Sequence, residues 1–276
     1  MKKLIIALLF ILSACSSSNT NDESLAVSVS IAPLSGIIKE IAPDLEVYTA
    51  IPKGYSPESY EPSISEIETL SNSKVFFKIG VPAEENILNN IDNDNMEVVD
   101  LQSIVNEQIE PIYIGESVNP HIWMSLDRIK IIAKTMSDKL SEIDSANKDV
   151  YEANLEAYLE KVDDVRVYAN ENMPTDKDVV IYHPSLDYFF QDYDIRVYAI
   201  EDGGHEATAK RLVELSDIVQ EKQIKVMFYQ DEISSNQVES FATSNNLTLL
   251  KVDPLNEDIL AGIKDLVDMC SEELKW

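Results

Sequence analysis

Short runs of β-branched and aromatic residues alternate along this chain with longer stretches of helical periodicity, and they do so in two blocks. In the first block, residues 25–31, 47–51, 75–79 and 97–101 read as strands, with helix-length segments at 33–41, 64–70 and 83–90. The second block repeats the plan, with strands at 178–182, 195–200, 225–229 and 247–252 and helical periods at 209–223, 236–245 and 258–274. Strands separated by helices are the signature of parallel α/β architecture. The expectation is therefore two α/β lobes, each a mainly parallel sheet flanked by helices.

A helical stretch from 126 to 173, broken near Asp144-Ser145-Ala146, lies between the blocks. In its second part Tyr151, Leu155, Tyr158, Leu159, Val162 and Val165 recur at the spacing of one helix face. Taken over 147–172, that helix would be roughly 39 Å long, and no glycine or proline interrupts it before Pro174. One long helix joining two lobes resists wide hinge opening, so a ligand cleft between them would be nearly preformed. The expected division is an N-terminal lobe at 25–144, a connecting helix at 145–173 and a C-terminal lobe at 174–276.

Ahead of the first block, Lys2-Lys3 precede an apolar run over residues 4–12 that is too short to span a bilayer. This is the form of a secretory signal. The ending Leu12-Ser13-Ala14-Cys15 resembles the lipobox of bacterial lipoproteins, which implies that the Cys15 thiol is acylated and becomes the new N-terminus. Residues 1–15 are then signal peptide and lipobox. Residues 16–24 contain only Ser, Asn, Thr, Asp and Glu, so they cannot join a core and read as a flexible tether. The mature chain is expected outside the cytoplasm, anchored by lipid in the periplasm or on the outer face of the cell membrane.

A net charge of −28, spread along the chain, repels phosphate backbones and excludes nucleic acid as a partner. Apart from Cys15 the only cysteine is Cys270, so the mature fold has no disulfide and no thiolate cluster, and Cys270 is expected to be a small buried hydrophobe. With seven glycines in the chain there is little material for nucleotide-cradling turns, and neither a Gly-x-Ser-x-Gly elbow nor a His-Glu-x-x-His pair occurs.

Candidate chemistry falls on three histidines. His121 sits in Asn119-Pro120-His121-Ile122-Trp123, before a helix. His183 follows an apolar strand and precedes Pro184, at the carboxyl end where open α/β sheets bind ligands. His205 follows Gly203-Gly204 in a loop. Taken with Ser30-Ile31-Ala32-Pro33-Leu34, with the run from Pro52-Lys53-Gly54-Tyr55-Ser56-Pro57-Glu58 to Ser63, with His183-Pro184-Ser185-Leu186-Asp187-Tyr188-Phe189 and with Asp253-Pro254-Leu255, these words resemble the cluster A-I solute-binding proteins. Those are the zinc- and manganese-binding lipoproteins of bacterial ABC importers, and the resemblance covers the whole chain.

The resemblance implies one divalent transition-metal ion, Zn2+ or Mn2+, carried as cargo between the lobes and delivered to an ABC permease by a monomeric, non-enzymatic protein. Carried over by position, the metal ligands are Glu58, His121, His183 and Asp253. Glu58 departs from the family's usual histidine after proline. The resulting set of two nitrogens and two carboxylates suits a transition metal without choosing between zinc and manganese. Residues 107–118 contain no histidine, which removes the His-rich loop of many zinc-specific members. Glu61, His205 and Glu206 are candidates for the rim or for contacts behind the ligands. Each acid has a bland alternative: Glu58 as a solvated loop residue, Asp253 as a helix cap. Tyr55, Tyr60, Trp123, Tyr182 and Tyr188 lie near the candidate ligands in sequence and could either support them or pack the lobes. A lipid-anchored metallohydrolase using the same ligands with an open position for water, or a surface adhesin, is the alternative function.

Overall fold

Every residue of β1 (Ala26–Val29) is buried, as a parallel strand covered on both faces must be. This computed structural model describes residues 25–201, 207–230 and 236–275. After β1 come α1 (Ala32–Ile41), β2 (Glu46–Thr49), α2 (Ile64–Leu70), β3 (Val75–Lys78), α3 (Ala83–Asn90), β4 (Glu97–Asp100) and α4 (Leu101–Asn106). Pro33 starts α1 and a Ser63–Glu66 capping box starts α2, both local signals the chain itself supplies. The strand expected at 97–101 ends at Asp100, whose side chain accepts the Ser103 N–H and caps α4, an element the periodicity does not announce.

A small hairpin of β5 (Tyr113–Ile114) and β6 (Ser117–Val118) and a 3-10 turn at Ile122–Met124 lead into α5 (Leu126–Ile143). The break near Asp144 separates α5 from α6 (Lys148–Asn172), which has 25 residues and is therefore about 37 Å long. The second block contains β7 (Lys177–Ile181), α7 (Asp187–Gln191), β8 (Ile195–Ala199), α8 (Ala209–Lys222), β9 (Val226–Tyr229), α9 (Asn236–Asn245), β10 (Thr248–Lys251) and α10 (Ile259–Glu273).

The strands form two four-stranded parallel sheets, in the orders β2-β1-β3-β4 and β10-β9-β7-β8. Each sheet thus has its first strand in the middle with the second and third on either side. That is the place where the connections diverge and a crevice opens at the carboxyl ends. β1 and β7 are the two switch strands, and His183 lies just beyond the end of β7.

The core explains why the lobes hold together. Val179 and Ile181 on one face of β7 belong to the large hydrophobic cluster that also contains the first sheet, α1, α5, α6 and α10. Val180 and Tyr182 on the other face belong to a smaller cluster with α8 and α9. The long α6 packs against α1, α5 and α10, so the last helix of the chain lies on the connecting helix rather than only on its own sheet. Among the described residues no helix is long and apolar enough to cross a membrane.

Candidate metal centre

Three loops, each following a strand or hairpin, bring Glu58, His121 and His183 together, with one ligand atom from each lying within 4.8 Å of the others. The Nε2 atoms of His121 and His183 are 3.2 Å apart, and Glu58 Oε1 is 3.5 Å from His183 Nε2. Tetrahedral ligand atoms at bond lengths of about 2.0–2.2 Å are separated by about 3.3–3.6 Å. One measured spacing lies just below that range and the other within it, so these donors stand close to the edge lengths of a coordination tetrahedron. His121 and His183 are 5% and 4% exposed. The Glu58 side chain is 23% exposed and marks the solvent side of the group.

The far nitrogen of each ring is occupied, which points the near nitrogen inward. His121 Nδ1 donates to Asn119 Oδ1 at 2.7 Å, and the same oxygen accepts the His121 backbone N–H at 2.9 Å. His183 Nδ1 donates to Glu201 Oε2 at 2.7 Å. An acceptor at Nδ1 leaves Nε2 as the lone-pair atom, the arrangement by which outer partners orient a metal-binding imidazole. Burial, with a smaller contribution from His183, holds His121 well below the ordinary histidine range, so this ring is neutral. Burial also pulls His183 down, but its bonds to Glu201 and Glu58 outweigh that and lift it to about 9. The Nε2 proton of the charged ring, facing Glu58 Oε1 at 3.5 Å, stands where a divalent cation would replace it.

Asn119 ties the two histidine loops to each other. Its Nδ2 donates to Pro184 O and to Asp187 Oδ2, both at 3.1 Å, beside His183 in the chain. Burial raises the Asp187 carboxyl to about 6 against the pull of the Asn119 amide. The Asn119 carbonyl accepts the Tyr188 hydroxyl at 3.0 Å, and that oxygen in turn accepts the Ile112 N–H at 3.1 Å. Arg128 covers the Tyr188 ring at 4.2 Å. On the Glu58 side, the Ala83 N–H donates to Pro57 O at 3.0 Å and fastens the Glu58 loop to the start of α3.

The remaining sequence candidates are placed differently. Asp253 is exposed and is not brought into the three-residue group; its Oδ1 accepts the Leu255 N–H at 3.1 Å. Its segment nevertheless borders the site, because the Trp123 indole N–H donates to Pro254 O at 2.8 Å and the Trp123 ring lies 5.1 Å from that of His121. Glu61 is exposed and lines a surface groove with Ile64 and Ile67. His205, Glu206 and Cys15 lie outside the described residues. Tyr60 donates to Glu66 and stacks edge-on with exposed Tyr55, whereas Tyr182 is core. Glu201 and Asn119, which hold the far nitrogens of the two histidines, are the side chains that sequence reading missed. A signal for Glu201 existed: β7 and β8 pair with Ile181 opposite Ala199, and continuing that register by two places sets Glu201 opposite His183.

Comparison with known proteins bears on the family and the fold. Residues 27–275 match the family profile described as ZnuA, zinc-uptake complex component A, periplasmic. The chain is 27% identical to the manganese ABC transporter substrate-binding lipoprotein PsaA of Streptococcus pneumoniae, over 99% of this chain and 94% of that protein. It is likewise 27% identical to the metal ABC transporter substrate-binding lipoprotein FimA of Streptococcus parasanguinis, with the same coverage. A crystal structure of ZnuA superposes with a TM-score of 0.83 at 27% identity, covering 91% of this chain and 99% of that one.

Proposed function

Because the chain belongs to the family of zinc-uptake complex component A, we propose that it is the extracytoplasmic metal-binding component of an ABC importer and carries one divalent transition-metal ion, zinc or manganese, between its lobes. The observation that carries the site assignment is the convergence of Glu58 Oε1 and two imidazole Nε2 atoms whose opposite nitrogens are already held by Asn119 and Glu201. Glu58, His121 and His183 are the first three donors. Asp253 stands outside that group in the structure and is assigned as the fourth donor because its segment is pinned beside His121 by Trp123. Two carboxylates then neutralise the divalent charge, which lowers the cost of burying it.

This is a capture and delivery site rather than a catalytic one. With Asp253 added to Glu58, His121 and His183, four protein donors would fill a tetrahedral shell and leave no position for a reactive water. The protein works as a monomer, tethered through acylated Cys15 and the 16–24 segment, and hands its ion to a membrane permease. The lobes divide at 25–144 and 174–276 about the helix between them.

The test is elemental analysis of residues 25–276 after exchange into equal zinc and manganese and removal of loose metal. One retained equivalent is expected, and its loss in His121→Ala and His183→Ala ties it to this site. Unchanged retention in both variants would refute the site assignment.

A further inference from the structure

The loop between β10 and α10 belongs by sequence to the second lobe, yet it is gripped by the first. Pro254 O takes the Trp123 indole N–H, as described. Six residues before α1 ends, Ser35 Oγ donates to Glu257 Oε1 at 3.1 Å, and Lys39 Nζ pairs with the same oxygen. Between these two side chains on α1 lies Gly36. A Cβ placed there would stand 1.9 Å from Glu257 O and 2.9 Å from its carbonyl carbon. Those are backbone atoms, so no side-chain rotation relieves the clash. Glycine in a helix interior is unfavourable by propensity, and here the close approach of another backbone accounts for it.

The loop is thus anchored on both sides of Leu255, once to the residue two places after His121 and once to α1. Both anchors are in the lobe that supplies Glu58 and His121. We infer that Gly36, Ser35 and Lys39 are positioning residues that fasten the 253–258 loop to the first lobe, so that Asp253 travels with Glu58 and His121 and closes over the ion as part of that lobe. The inference rests on the reading of Asp253 as the fourth donor. It assigns to a helix with no metal ligand of its own control over how long the ion stays.

The bland alternative is that these contacts only help the lobes adhere. A general packing role would change thermal stability and leave ion release alone, whereas a positioning role is coupled to Asp253. The experiment uses residues 25–276 loaded with zinc, and separately with manganese, and follows release into excess chelator by stopped flow. Asp253→Ala should accelerate release. Gly36→Ala should accelerate it by about tenfold, the lower end of what lost outer support costs a metal site, with association little changed. Gly36→Ala combined with Asp253→Ala should release no faster than Asp253→Ala alone, because a displaced loop has nothing left to misplace. Glu257→Gln and Lys39→Ala leave the helix backbone intact and carry the same measurement if Gly36→Ala does not fold. Wild-type release in the folded latch variants while Asp253→Ala releases faster would overturn the latch and leave the fourth donor standing, as would additive effects in the double variant. Unaltered release in Asp253→Ala would overturn the fourth donor and the latch together.

Discussion

Replacing Glu201 by glutamine tests the site through a residue that touches no ion. Glu201 and His183 are both almost fully buried and joined at 2.7 Å, so water cannot replace the carboxylate as acceptor for Nδ1–H. Glutamine keeps the shape but removes the charge, and charge-assisted hydrogen bonds are about twice as strong as neutral ones. If the amide turns its NH2 toward the ring, the proton must move to Nε2, the atom required for the ion. Loss of such outer partners typically costs about 10–100-fold in metal affinity, or roughly 1.4–2.7 kcal/mol at about 1.4 kcal/mol per tenfold. Glu201→Ala should cost more, because the buried Nδ1–H then has no acceptor, a penalty of about 1–3 kcal/mol. The assay is zinc competition against a chromophoric chelator, with Trp123 fluorescence as a second readout, since its ring lies 5.1 Å from His121. Affinity within about twofold of wild type in both variants, against a usual loss of about 10-fold or more, would refute the view that Glu201 orients His183.

Other expectations follow from the same contacts. Glu58→His should move preference toward zinc by exchanging a hard oxygen for a nitrogen; an unaltered zinc-to-manganese affinity ratio would put Glu58 outside the ligand set. Asn119→Ala removes the acceptor shared by His121 N and Nδ1 and the donor to Pro184 and Asp187. It should cost about 2–4 kcal/mol of stability, a fall in Tm of roughly 4–16 °C for a chain of this size, and calorimetry that finds no shift would contradict the cross-link between the histidine loops. Cys270 is fully buried and its thiol is pushed up by burial. In residues 25–276 it should therefore resist alkylation until the protein unfolds; rapid labelling of the native protein would contradict the packing of α10.

Periodicity located strands and helices here because both signals are local. The seven residues of α2 (Ile64–Leu70) and the ten of α9 (Asn236–Asn245) lie where the apolar spacing puts them. The same reading passed over α4 and α7, which are short enough that one cap or one buried aromatic cluster decides them: Asp100 starts α4, and Tyr188, Phe189 and Phe190 bury α7. At the site, His121 and His183 were legible because a polar ring beside proline at an element's end has no evident packing role. Glu201 was illegible without strand register, and Asn119 read as one residue of a motif rather than as the bond between two loops.

The chain alone determined two α/β blocks, a long uninterrupted helix between them, and histidines beyond a strand end and before a helix, since each depends on residues within a few turns of one another. That Glu201 stands behind His183, and that Asp253 stays apart from both histidines, was decided only by tertiary structure. Glu201 reaches His183 through the pairing of adjacent strands, whereas Asp253 stands outside the group, in a loop whose Glu257 carbonyl rests on Gly36, more than two hundred residues earlier. A coordination shell is sensitive to tenths of an ångström, and distances that fine are set by long-range packing, for which a linear pattern of apolar and polar residues carries no direct signal.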